Sequence, residues 1–276
     1  MIFAKRSVKL KEGKTLFLVP FGDIQSEEEY KRLNNLVAWL QARQKEGHEV
    51  LLFGMGDYFE APSPSDRAAL RAAKGGFGVY DDLAKTIMDA FEGRTVALYE
   101  RFKPLIGNFL GLLKGHHWLD FDPNLKAGMP ANTNVLLAKL LKTDYWGDTI
   151  QMELKVNGMP FKIFAAHGYG SARTPGARIS KRIRMREVVG DANWYCMGHD
   201  NEKSVYVTEV LFGREYFKQY YSGTGSFQRA YNFDNTEGSY AEALLLPPTS
   251  LGVVMCMVKI GRDSRGKAKL DYHIST

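Results

Sequence analysis

Short runs of consecutive apolar residues punctuate this chain, and most of them stop at a glycine. LFLVP (16–20) and VLLFG (50–54) are apolar at successive positions, the pattern of strands buried on both faces of a sheet. Between them, Ser26 followed by Glu29 forms a capping box that opens a helix ending near Gly47. Ser65 is placed to cap a second helix, and residues 66–106 read as largely helical with an interruption at GGFG (75–78). FLGLLKG then supplies another apolar strand. From residue 149 the pattern turns to strands: TIQMELKV and FKIFAAHG flank Asn157-Gly158, a two-residue hairpin signal. Residues 178–189 predict a basic helix, and WYCMG, VYVTEVLF, YFKQYYSG and VVMCMVKI predict further strands. Strand–helix alternation followed by strand-rich sequence predicts two packed sheets covered by helices. No repeat, low-complexity tract or linker interrupts the chain, so a single domain over 1–276 is expected.

Composition changes this picture little. The chain has 276 residues, 45% of them hydrophobic and 25% charged, as in an ordinary folded protein. Its net charge of +6 favours an anionic partner without distinguishing nucleic acid from smaller phosphates. Both cysteines, Cys196 and Cys256, sit inside apolar runs, which predicts buried thiols rather than a disulfide or a thiolate cluster. The first residues lack the apolar stretch of a signal peptide, and no run approaches the roughly 18 residues needed to span a bilayer. A cytoplasmic protein with no membrane partner is expected.

The ends of the apolar runs carry the candidate chemistry. Four of the six histidines stand there: His116 and His117 in LLKGHHW, His167 in FAAHGYG and His199 in YCMGHDN. Asp23 in FLVPFGD and Asp57 in LLFGMGD end earlier runs in the same way. Open α/β sheets place their ligands at the carboxyl ends of strands, so imidazole and carboxylate delivered there predict one metal site. In order, the chain reads Asp23-x-Gln25, Gly56-Asp57, Gly115-His116-His117, His167-Gly168 and Gly198-His199-Asp200-Asn201. This resembles the calcineurin-like metallophosphoesterase family, whose pattern is DxH, GD, GNH, a lone H and GHxH; the resemblance spans roughly 16–201. Gln25 stands in place of the first histidine, His116 in place of the asparagine and Asn201 in place of the last histidine. GTGSFQRAY (223–231) is similar to a glycine-serine turn of some members, including phage-carried ones, and otherwise reads as a Gly-rich loop between strands.

The resemblance implies a four-layer αββα sandwich of two mixed sheets flanked by helices. It implies a dinuclear centre in which Asp57 bridges two divalent ions, Asp23, Gln25 and Asn201 complete one site, and His116, His167 and His199 complete the other. An oxygen-only set favours Mn²⁺, Mg²⁺ or Ca²⁺, and an imidazole-rich set suits Zn²⁺, Fe or Mn²⁺, so Mn²⁺ is the expected occupant common to both. The implied activity is hydrolysis of a phosphate ester, with a phosphodiester preferred, by a metal-bridging hydroxide, His117 serving the leaving oxygen as proton donor. A catalytically weakened member that binds nucleic acid is the alternative. Arg173, on the glycine-containing loop after His167, is the candidate phosphate contact, and the basic run through Arg178, Lys181, Arg182, Arg184 and Arg186 is either a substrate track or a solvated face. Gly261-x₄-Gly266-Lys267 looks like the front of a P-loop but has Ala268 where a hydroxyl is needed, and its flanks predict a hairpin. His48 and His273 fit no constellation.

Overall fold

The computed structural model of the chain describes residues 1–25, 30–76, 81–170, 172–213, 215–231, 240–243 and 245–276. The first half alternates: β1 (Ile2–Val8), β2 (Leu16–Phe21), α1 (Tyr30–Lys45), β3 (Glu49–Gly54), α2 (Pro64–Gly76), α3 (Asp81–Phe102), β4 (Phe109–Leu113), α4 (Thr133–Leu140) and β5 (Tyr145–Gly147). The second half is strand-rich: β6 (Thr149–Val156), β7 (Met159–Ala166), α5 (Pro175–Val188), β8 (Trp194–Met197), β9 (Lys203–Phe212), β10 (Glu215–Ser226), β11 (Gly252–Val253), β12 (Met255–Arg262) and β13 (Ala268–Ser275). One sheet runs β1-β6-β7-β8-β10-β11, with β9 also on β10; the other runs β13-β12-β2-β3-β4-β5. Both mix parallel and antiparallel pairs.

Alternation along each strand assigns the layers. Leu16, Leu18, Leu51 and Phe53 face inward to meet Ile150, Ile163, Trp194 and Cys196 of the opposite sheet, while Cys256 joins the same inter-sheet core from β12. Phe17, Val19, Val50 and Leu52 face the other way, against Leu33, Val37 and Leu40 of α1, Leu98 and Phe102 of α3 and Leu137 of α4. Phe164, Tyr195, Met197 and Tyr221 form the outer face of the first sheet, covered by Met185 of α5. The result is the expected four-layer αββα sandwich. Each large side chain buried in it contributes about 1.5–3 kcal/mol. Cys196 and Cys256 are buried free thiols, as expected.

Several local expectations are corrected. Ser63, not Ser65, caps α2: its Oγ accepts from the Asp66 N–H, and the Asp66 carboxylate accepts from the Ser63 N–H. The capping box at Ser26 and Glu29 lies outside the described residues, as do the last two residues of GGFG. α3 stops at Phe102 because Pro104 enters a 3-10 turn, Lys103–Leu105. The GTGS segment is strand rather than loop: Gly223 pairs with Met197 on one side and Ser204 on the other. Tyr220, Tyr221 and Phe227 in and beside that strand are buried in the core. The hairpin expectations hold: Asn157 and Gly158 both have positive φ, as a two-residue turn requires, and β12 and β13 pair antiparallel around the Gly266 turn. Among the described residues no helix is long and apolar enough to cross a membrane.

Candidate metal centre

Five strands from both sheets end at one place. β2, β3 and β4 are mutually parallel, so their carboxyl ends deliver Asp23, Asp57 and the His116-His117 pair to one edge. β7 and β8 are parallel in the other sheet and deliver His167 and His199. Ligand atoms of Asp57, His116, His167 and His199 all lie within 4.8 Å of one another. The structure thus brings together the whole imidazole-rich set.

Hydrogen bonds to the backbone fix which ring nitrogen each histidine presents. His167 Nδ1 lies 2.7 Å from the Met55 carbonyl oxygen and donates to it, which leaves Nε2 toward Asp57 Oδ2 at 3.1 Å. That approach is close enough for charge attraction, yet Nε2 is buried with no aligned hydrogen-bond partner. His199 Nε2 donates to the Gly170 carbonyl oxygen at 2.8 Å, so its Nδ1 carries the lone pair and faces His116 Nδ1 at 3.2 Å. His117 Nδ1 donates to the Ala61 carbonyl oxygen at 2.7 Å, which frees its Nε2. Asp57 is held from the other side: its Oδ1 accepts the N–H groups of His116 at 2.5 Å and His117 at 2.9 Å.

Two of the remaining predicted ligands, Asp23 and Gln25, touch this group. Asp23 Oδ2 accepts the His199 N–H at 2.9 Å, and its carbonyl accepts from Phe227 N and Ser226 Oγ at the end of β10. Gln25 Nε2 donates to Asp57 Oδ2 at 3.2 Å; rotating the amide would put Oε1 in the same place. Asn201 Oδ1 is buried with no hydrogen-bond partner. A buried ring nitrogen without an aligned partner beside the Asp57 carboxylate fits a divalent cation. His117 belongs to the neighbourhood but not to the converging group.

Electrostatics agree with that fit. Burial opposes charge on both Asp57 and His167, but each stabilises the other's ion: the Asp57 carboxyl is held below its ordinary range and the His167 imidazole above. Burial pushes the Asp23 carboxyl up to about 7, against the pull of His167 and with the push of Asp57. His116 is lowered to about 4 by burial and by the neighbouring His167 and His199, and burial likewise lowers His199. Neutral His116 and His199 are in the state that a metal requires, and a bound cation would displace the proton that His167 holds beside Asp57 and the one that burial favours on Asp23.

Backbone strain concentrates here too. Of the eight non-glycine residues with positive φ among the described residues, five are Asp23, Gln25, Asp57, His199 and Asn201. Such conformations cost on the order of 1–3 kcal/mol each and persist where surrounding structure enforces them. Gly115 permits the approach of Asp57: a Cβ on it would overlap Asp57 Oδ1. At Gly56 (φ 95°) a Cβ would lie 2.6 Å from Gly115 Cα and 2.8 Å from His167 Nδ1.

Two positioning residues escaped the sequence reading. Arg67, buried on α2, donates to the carbonyls of His116 at 2.8 Å and Trp118 at 3.3 Å and stacks its guanidinium on the Trp118 ring. Nothing in the α2 sequence marks it. Arg182 is 1% exposed and pairs with Asp200 and Glu202, each at 3.3 Å, and with Ser204. Lys181 pairs with Asp200 and Arg178 with Glu202, so three of the five residues of the basic run clamp the loop that carries His199 and Asn201. The signal was present: residue 182 shares a helical face with Met185 and Val189. Arg173 is exposed on the loop before α5 and is absent from the cavity wall beside His116.

Neither a family model nor a curated protein matches this chain. Among solved structures it is similar to Vps29 of Chaetomium thermophilum, at 8% identity and a TM-score of 0.34 over 95% of this chain and 97% of that one. A second structure, Vps29 of that organism complexed with a RaPID-derived cyclic peptide, is 12% identical with a TM-score of 0.23, over 63% of this chain and 84% of that one. These chains superpose too loosely to bear on the site, which rests on its own geometry.

Proposed function

We propose that this chain is a metal-dependent phosphoesterase. The observation that carries the reading is the convergence of Asp57, His116, His167 and His199, with the far nitrogens of His167 and His199 held by backbone carbonyls. Asp57, His116, His167 and His199 would hold one divalent ion; Asp23, Gln25 and Asn201, around the same Asp57, would hold a second, with Mn²⁺ the favoured occupant of both. Bound there, a metal pair supplies an activated water and charge stabilisation at phosphorus. His117, its Nδ1–H committed to the Ala61 carbonyl, points the other nitrogen away from that bond, and as the imidazolium it would give the Nε2 proton to the leaving oxygen and remain a neutral ring. Arg67 keeps the His116–Trp118 backbone in place during that transfer. The positive net charge favours an anionic ester, and a phosphodiester of a polyanion such as nucleic acid is the preferred substrate.

The test is metal analysis combined with hydrolysis of a generic phosphodiester across a panel of divalent ions. Two bound equivalents and turnover stimulated by Mn²⁺ are expected. Metal-loaded protein with no turnover under any ion would overturn the reading. Asp23→Ala separates a two-metal from a one-metal enzyme, since only the former loses a large part of its rate.

A further inference from the structure

A cavity of about 260 Å³ opens beside His116 and His167, and its chemistry differs from that of the centre. Its floor is apolar: Phe164, Met185 and Met197, all buried, with the exposed Val188 at the mouth. The cations Lys114 and Arg184 stand in its wall; Lys114 lies 3.9 Å from the exposed carboxylate of Asp148, which also lines the cavity, and over the Trp118 ring, and no partner of Arg184 is found among the described residues. Lys181 also reaches the wall but is committed to Asp200 and to the Tyr169 carbonyl. An apolar cavity of about 150 Å³ suffices to take up benzene. The volume here therefore accommodates one ring system, below the roughly 300–1,000 Å³ of drug-sized sites. Thioethers and a phenyl ring favour a flat π-face over an alkyl chain or a hydrated sugar.

We propose that this cavity seats a planar ring attached to the phosphate, which makes the ligand class aromatic phosphoesters, either nucleotides or aryl esters. The proposal rests on the phosphoesterase reading for the placement of the phosphate at the centre. The ring would enter past the exposed Val188 and rest against the edges of Phe164, Met185 and Met197 that line the cavity, while Lys114 and Arg184 face the ester's remaining anionic oxygens.

Calorimetric binding to Mn²⁺-loaded protein, using compounds that differ only by the ring, tests it without requiring turnover. The pairs are phenylphosphonate against methylphosphonate, and adenosine 5′-monophosphate against ribose 5-phosphate. In at least one pair the ring-bearing member should bind about tenfold tighter or more, as stacking of one base supplies. The first pair alone assigns an aryl ester; a larger ratio in the second assigns a nucleotide. Val188→Glu puts a carboxylate at an exposed, fold-neutral mouth position and should bring the ratio close to one; Phe164→Leu, which keeps an apolar floor, should lower it. Equal affinities within both pairs, no binding of any of the four, or a ratio that survives both substitutions would overturn the proposal. A ring preference in protein that never turns over would sink the hydrolase reading alone, and turnover without ring preference would sink this one alone.

Discussion

A missing Cβ at residue 115 decides whether Asp57 can stand where three histidines meet it. Gly115→Ala would push directly on Asp57 Oδ1. The expected cost is about 1–3 kcal/mol of stability from overpacking, with a marked loss of bound metal, read by thermal melting and metal analysis of the same sample. His117→Ala should behave differently, because its ring lies outside the converging group. Metal content should be retained while kcat falls by about 10²–10⁴; full activity would remove His117 from the mechanism. Arg182→Met leaves Asp200 and Glu202 with fewer counter-charges, and breaking a buried pair costs about 3–5 kcal/mol. Urea unfolding would measure it, and weakened metal binding would follow from the loosened loop. The converging histidines were legible because each ends an apolar run at or beside a glycine. Arg67 was not, since a buried cation that holds carbonyls leaves no periodic trace among the small residues of α2.

Elements buried on both faces announce themselves, and half-exposed ones do not. β2 and β3 read plainly because every residue of β2, and all but the first of β3, is buried. β1 escaped notice because it is an edge strand carrying Lys5 and Arg6, with only Val8 buried. α4 was also missed; it begins at Asn132, whose side chain accepts the N–H groups of Asn134 and Val135, a cap hidden in a polar stretch. The β6–β7 turn makes a second connection that sequence does not disclose: Asn157 Oδ1 accepts from Leu10 N at 2.7 Å and Nδ2 donates to Leu10 O at 2.9 Å. Asn157→Ala therefore loses both a favourable left-handed residue and the tie to the segment after β1. A destabilisation of about 1–3 kcal/mol is expected, lowering Tm by several degrees without altering metal content.

At the scale of the molecule, the order of strands matters more than their number. β12 lies between β13 and β2, with Cys256 opposite Leu18, so a strand more than 230 residues downstream covers the edge of one made early. Until residue 258 has been synthesised, β2 has a bare edge, and the apolar face of Leu16 and Leu18 lacks Cys256 and Val258 against it. Unpaired apolar edges are templates for aggregation. A chain halted at residue 250 should partition into the insoluble fraction and take up no metal, as sedimentation and metal analysis of the pellet and supernatant would reveal. Stops before residue 258 would then yield waste rather than partial function, and a nascent chain would depend on protection of its own first core strand until that residue has emerged.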